Sequence, residues 1–162
     1  MIKIVEDLVP EGRFGSNTRL ISMQGVTIHD TGNTHRGANA RNQARYLKTS
    51  TREASWHFAV DDHEVVQSVP IDRVTWHCGR AHGNQSTVSI EICVNSDGDL
   101  IKATDNAAEL TAKILTDAGL SADGHIFQHH DWSGKDCPAQ LRAGSPYTWQ
   151  EFIDKVKKHM EA

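Results

Sequence analysis

Along the first half of the chain, apolar and polar side chains alternate in short runs. Gln24-Gly25-Val26-Thr27-Ile28-His29 has the period of two that predicts a strand, with Val26 and Ile28 facing a core and His29 at the strand end on the other face. Turn-forming residues run from Asp30 to Gly37, and Ala38 to Leu47 reads as a short helix. Trp56 to Val60 and Val65 to Val69, joined by the polar Asp61–Glu64, predict a hairpin in which His57 points away from Trp56, Phe58 and Val60. The clearest strand is Val88 to Val94. It puts Val88, Ile90, Ile92 and Val94 on one face and Ser89, Glu91 and Cys93 on the other, with Glu91 in the middle of that second face.

The period lengthens further on. Ala107, Leu110, Ile114 and Ala118 recur at helical spacing, which predicts an amphipathic helix of about four turns, capped by Thr104 and closed by Gly119. His125 to His129 reads as a short strand, followed by an irregular loop from Trp132 to Pro138. Thr148-Trp149-Gln150-Glu151 is a capping box opening a last helix with Trp149, Phe152, Val156 and Met160 on its apolar stripe. Strands alternating with helices predict an α/β fold of three layers, a central mixed β-sheet flanked by helices. No repeat or linker divides the chain, so residues 1–162 are expected to form a single domain.

Composition narrows the function. With 38% hydrophobic and 23% charged residues, the chain has the make-up of a folded domain and not of a disordered segment. A net charge of -4 and no basic block argue against nucleic acid as a partner. No run of 18 apolar residues exists to insert into a membrane, and Met1 to Asp7 lacks the apolar stretch of a signal peptide. Three cysteines, an odd number at wide spacing, suit reduced thiols or a metal ligand better than a disulfide framework. Ten histidines make a metal site the first hypothesis.

A catalytic zinc needs three protein ligands and one open position, and His29, His129 and Cys137 supply such a set at a strand end and in the adjacent loop. Their spacing matches no compact motif, and on spacing His130 would serve as well as His129. Taken singly, each residue has a plainer reading. His29 would be a hydrogen-bonded structural histidine, Glu91 a solvated residue of an outer face, and Lys135 an exposed loop charge. His57 would be either a donor behind a ligand or a residue of a polar face. Cys78 and Cys93 read as free thiols.

Taken together, four segments resemble the type 2 N-acetylmuramoyl-L-alanine amidases, the catalytic domains of phage and prophage endolysins of Gram-positive hosts. These are Val26-Thr27-Ile28-His29, Ser55 to Asp62, Val88-Ser89-Ile90-Glu91-Ile92, and His129-His130-Asp131-Trp132-Ser133-Gly134-Lys135-Asp136-Cys137-Pro138. The resemblance implies one Zn²⁺ held at the strand ends by His29, His129 and Cys137. It makes Glu91 the proton shuttle and sets Lys135 beside the developing oxyanion. The bond cut would be the amide between the lactyl group of muramic acid and L-alanine. Trp76-His77-Cys78-Gly79 looks like the substrate-groove segment, so Trp76 and His77, with His57, are the expected substrate contacts. Where some relatives carry a tyrosine before His57, this chain has Trp56.

The expected partner is bacterial peptidoglycan and the expected state a monomer. A protein of this kind would be made in the host cytoplasm without a signal peptide and act on the wall after release. The alternatives are a peptidoglycan-recognition module without catalysis, a cytoplasmic amidase that recycles muropeptides, and an unrelated protein in which zinc only staples the fold. The complete ligand set and Glu91 favour the enzyme.

Overall fold

The structure, a computed structural model, describes residues 1–162. In chain order the elements are β1 (Ile4–Glu6), β2 (Gly25–Asp30), α1 (Ala40–Thr49), β3 (Phe58–Val60), β4 (Val65–Gln67), α2 (Ala81–Ser86), β5 (Thr87–Ile92), α3 (Leu100–Asp117), β6 (Ile126–Gln128), α4 (His129–Ser133), α5 (Ala139–Arg142) and α6 (Trp149–Glu161). Six strands form one sheet in the order β1-β4-β3-β5-β2-β6, parallel at every pairing except the β3–β4 hairpin. This is the mixed sheet flanked by helices that the alternation of elements predicts.

Two separate cores lie on the two faces. On one, Val26, Ile28, Val88, Ile90 and Ile92 pack under Leu110 and Ile114 of α3 and Phe152 and Val156 of α6. On the other, Ala40, Ala44 and Leu47 of α1 cover Ala59 and Val66, with Trp56 and Cys93 in the same cluster. α1 packs mainly on β3 and β4. Over β5 and β2 that face is bordered instead by the short helices α2, α4 and α5, and a groove opens between them and α1. His29, Thr27, Ser89 and Glu91 all project to this side, because the other parity of β2 and β5 is buried under α3 and α6.

Three expectations are corrected. α3 begins at Leu100 and not after Thr104, since the Asp99 side chain accepts from Lys102 N and serves as the N-cap; Thr104 is interior, its hydroxyl donating to Leu100 O at 2.7 Å. Trp56 does not follow Phe58 into the α3 core. Regular pairing starts at Phe58, so the residue before His57 is free to turn and packs beside Ala59 under α1. The segment after β6 is not wholly irregular, because His129–Ser133 forms a helical turn that Gly134 closes at φ 80°. The α6 capping box is present as expected, with Thr148 accepting from Glu151 N and Glu151 from Thr148 N.

Gly25 controls how closely β6 approaches the sheet. Its φ is 147°, and a Cβ there would overlap the carbonyl oxygen of His125, to which Val26 N donates at 2.9 Å. Gly25→Ala must push β6 away from β2. We expect a loss of roughly 3 kcal/mol, lowering the melting temperature by about 6–12 °C; a melt within 1–2 °C of the parent would mean that β6 yields freely.

Candidate active site

His29 is the next-to-last residue of β2 and lies in parallel register with Glu91 of β5. On its other side β2 pairs with β6, Ile28 opposite Gln128, so the residue following Gln128 emerges next to His29. That residue is His129. Its position is fixed by a reciprocal cap in which the Gln128 side chain accepts from Asp131 N and the Asp131 carboxylate accepts from Gln128 N at 2.7 Å. After Gly134 reverses the chain, Cys137 returns to the same point, where its carbonyl accepts from His130 N at 3.1 Å. Asp30 ties down the following helix by accepting from Gln140 N at 3.0 Å.

The donor atoms of His29, His129 and Cys137 all lie within 4.8 Å of one another. His29 Nδ1 is 3.1 Å from His129 Nδ1 and 3.8 Å from Cys137 Sγ. A tetrahedral zinc with bonds of about 2.05 Å to nitrogen and 2.3 Å to sulfur has edges of about 3.3 Å between nitrogens and 3.6 Å from nitrogen to sulfur, so these separations fit such an ion. Of the adjacent histidines, only His129 joins the group.

A hydrogen-bond chain behind His29 sets its tautomer. His29 Nε2 donates to His77 Nδ1 at 3.0 Å, leaving His29 Nδ1 as a lone pair directed at the other two donors. His77 Nε2 in turn lies 3.4 Å from Thr87 Oγ1, which donates to Gly83 O at 2.8 Å. Thr27 Oγ1 lies 2.8 Å from the same threonine oxygen and accepts from Trp132 Nε1 at 3.0 Å. Every member of the chain has a partner of the right kind.

Burial keeps the cluster uncharged. It holds His29 well below the usual imidazole range, helped by His77, His129 and the Lys135 ammonium, and it lowers His129 to about 4, with Lys135 adding to the effect. Burial also pushes the Cys137 thiol up to about 12, with Glu91 and Asp30 adding to it. Two neutral imidazoles are ready ligands. The thiol needs a cation in place of its proton, which a metal at this point would provide. Glu91 is raised to about 8, first by burial and then by Asp30, against the pull of Lys135 and Arg52, and its Oε2 is buried without a hydrogen-bond partner.

The groove over this cluster is lined by Glu91, Lys135 and Trp76 as expected, and also by Gln43, Tyr46, Arg52 and Trp56 on the α1 side. Trp76 is 41% exposed on the rim, its ring 5.7 Å from that of Phe14. His77 lines the groove, but one ring nitrogen is taken by His29, so it orients the cluster. His57 is not a groove residue and its expected substrate contact is corrected. It is wholly buried, its Nδ1 accepting from Ser89 N at 3.0 Å and its Nε2 donating to Arg73 O at 2.7 Å, and so it braces β3 against β5. Gln43, Tyr46 and Arg52 carry no signal in the sequence, because only the packing of α1 brings them to the groove.

A family profile described as N-acetylmuramoyl-L-alanine amidase matches residues 19–140. The chain is similar to the N-acetylmuramoyl-L-alanine amidase XlyA of Bacillus subtilis, 38% identical over 154 residues that cover 94% of this chain and 50% of XlyA. It spans about half to five-eighths of the length of XlyA and of CwlH, a second amidase of the same organism. Among solved structures, the catalytic domain of XlyA superposes with a TM-score of 0.87 at 37% identity, covering 96% of this chain and 99% of that one. A mutant endolysin from Bacillus subtilis superposes at 0.86 and 36% identity, with coverage of 96% and 99%.

The hydrogen bond from His29 to His77 predicts a graded effect on metal affinity. His77→Ala should weaken binding of added Zn²⁺ by about 10- to 100-fold in competition with a chelator, and Cys137→Ser should weaken it more, since a hydroxyl is a far poorer ligand than a thiolate. Unchanged affinity in His77→Ala would free His29 from its partner.

Proposed function

The chain belongs to the N-acetylmuramoyl-L-alanine amidase family, and from that premise we propose that it is a zinc-dependent hydrolase of bacterial peptidoglycan. It cuts the amide joining the lactyl group of muramic acid to L-alanine, and residues 1–162 act as one catalytic domain. The observation that carries this reading is the convergence of His29, His129 and Cys137 at the floor of a groove that Glu91 and Lys135 also line.

Zinc, when bound, polarises the scissile carbonyl and acidifies the attacking water. The remaining work falls to side chains. His29 and His129, uncharged through burial, and Cys137 hold the ion. Glu91 takes the proton of the attacking water and delivers it to the departing alanine nitrogen, a role that suits a carboxyl poised near neutral pH. The Lys135 ammonium, which lines the groove, stabilises the negative charge that develops on the former carbonyl oxygen. Trp76, exposed on the rim, offers a flat apolar surface to the glycan or the peptide. Similarity to a Bacillus subtilis endolysin supports a lytic role. On this reading the protein is made in the host cytoplasm and reaches the wall after release.

Digestion of purified Gram-positive peptidoglycan, with the new ends read by mass spectrometry, tests the activity. We expect amino-terminal alanine on intact stem peptides, abolished by a chelator and restored by Zn²⁺. Binding without new ends would instead favour a recognition module. Release from soluble muropeptides but not from the wall would favour a recycling amidase. Glu91→Gln should retain bound zinc and lose about 10²- to 10⁴-fold in turnover, the usual contribution of a positioned acid-base group. An active Glu91→Gln would move the shuttle to another residue.

A further inference from the structure

The two walls of the groove differ in kind. One carries the histidines, Cys137 and Lys135; the other, built by α1 and the segment after it, presents Gln43, Tyr46, Arg52 and Trp56. None of these four is an acid. The side-chain amide of Gln43, the Tyr46 hydroxyl and the Arg52 guanidinium form no hydrogen bond within the protein, and Trp56 Nε1, which can only donate, is buried without an acceptor. An orphaned donor of this kind is costly unless a bound group meets it.

Arg52 is the unusual member. Of nine arginines, seven place the guanidinium against a carboxylate, a side-chain amide or a carbonyl. Only Arg36, whose charge acts on Asp97, and Arg52 have no such bond. Arg52 is exposed and lines the groove, and its charge and that of Lys135 both reach Glu91. The acids of the groove are not free to neutralise it. Asp30 is held by Gly32 N and Gln140 N, and Glu91 lies on the floor beside His29. An unpaired guanidinium over a wall of donors is suited to a planar anion that accepts two parallel hydrogen bonds.

Resting on the amidase reading above, we propose that Arg52 is a specificity-determining residue that binds the free carboxylate of the stem peptide. In a stem that begins L-alanyl-D-glutamyl, the first such group beyond the scissile amide is the α-carboxylate of the second residue. The site therefore selects stems in which that carboxylate is free over stems in which it is amidated. Gln43, Tyr46 and Trp56 supply donors to the carbonyl oxygens of the same segment.

The test uses two muramyl tripeptides, L-Ala-γ-D-Glu-L-Lys in each, identical except that the glutamyl α-carboxyl is free in one and amidated in the other. The parent protein should cleave the free form with a kcat/KM at least about tenfold higher, through KM. Arg52→Gln should remove the preference by raising KM for the free form alone, and Arg52→Lys should keep part of it. Because Arg52 is exposed and unpaired, both variants should melt with the parent. Equal kcat/KM of the parent on the two tripeptides, or a preference surviving in Arg52→Gln, overturns the proposal and leaves the amidase reading standing. No cleavage of either tripeptide or of the wall by the parent overturns both.

Discussion

The parallel pairing of β2 with β5 and β6 is the constraint on which the site depends. It fixes His29 beside Glu91 on one side and beside the start of α4 on the other. Register in a parallel ladder allows no half measure, since a slip of one residue would turn His29 and Glu91 into the α3 core and bring Ile28 and Ile90 to the groove. The apolar residues that fill the opposite face thus hold the catalytic geometry in place. Packing under α3 and α6 specifies the register, and the register specifies the site.

Burial shapes the chemistry as much as position does. In water a carboxyl next to a lysine would be ionised, and imidazoles would exchange protons near neutral pH. Here the imidazoles are held neutral and the thiol keeps its proton until a cation takes its place, while burial raises Glu91 toward the range in which a carboxyl can both accept and give up a proton. The relay through His77, Thr87 and Thr27 makes this tolerable, because each buried polar group has a partner of complementary kind. The exceptions are Glu91 Oε2 and Trp56 Nε1 in the groove, and two serine hydroxyls, Ser16 and Ser68, outside it.

Much of this was legible in the sequence, for identifiable reasons. Strands β2 and β5 show strict alternation, and α6 carries its own cap, so local pattern and tertiary packing agree. The metal set was legible through resemblance alone, since its members come from distant segments with no local spacing rule. What could not be read depends on packing. β1 has three residues and too few positions for a period to show; Trp56 leaves the alternation because pairing has not begun there. The hydrogen bond between His77 and His29 and the burial of His57 follow from the packing of the segment between β4 and α2. The α1 wall is invisible for the same reason.

An ion seated between His29 and the pair His129 and Cys137 would also be a cross-link. It would tie β2 to its neighbour β6, an edge strand of only three residues, closing a chain loop of about one hundred residues, the range in which restricting the unfolded chain has most effect. Binding free energy at such a junction is folding free energy, so stability would follow the free metal concentration at about 1.4 kcal/mol per tenfold change above the dissociation constant. The proposed site of the chemistry would thereby also be a clasp, and metal supply would set how firmly it holds.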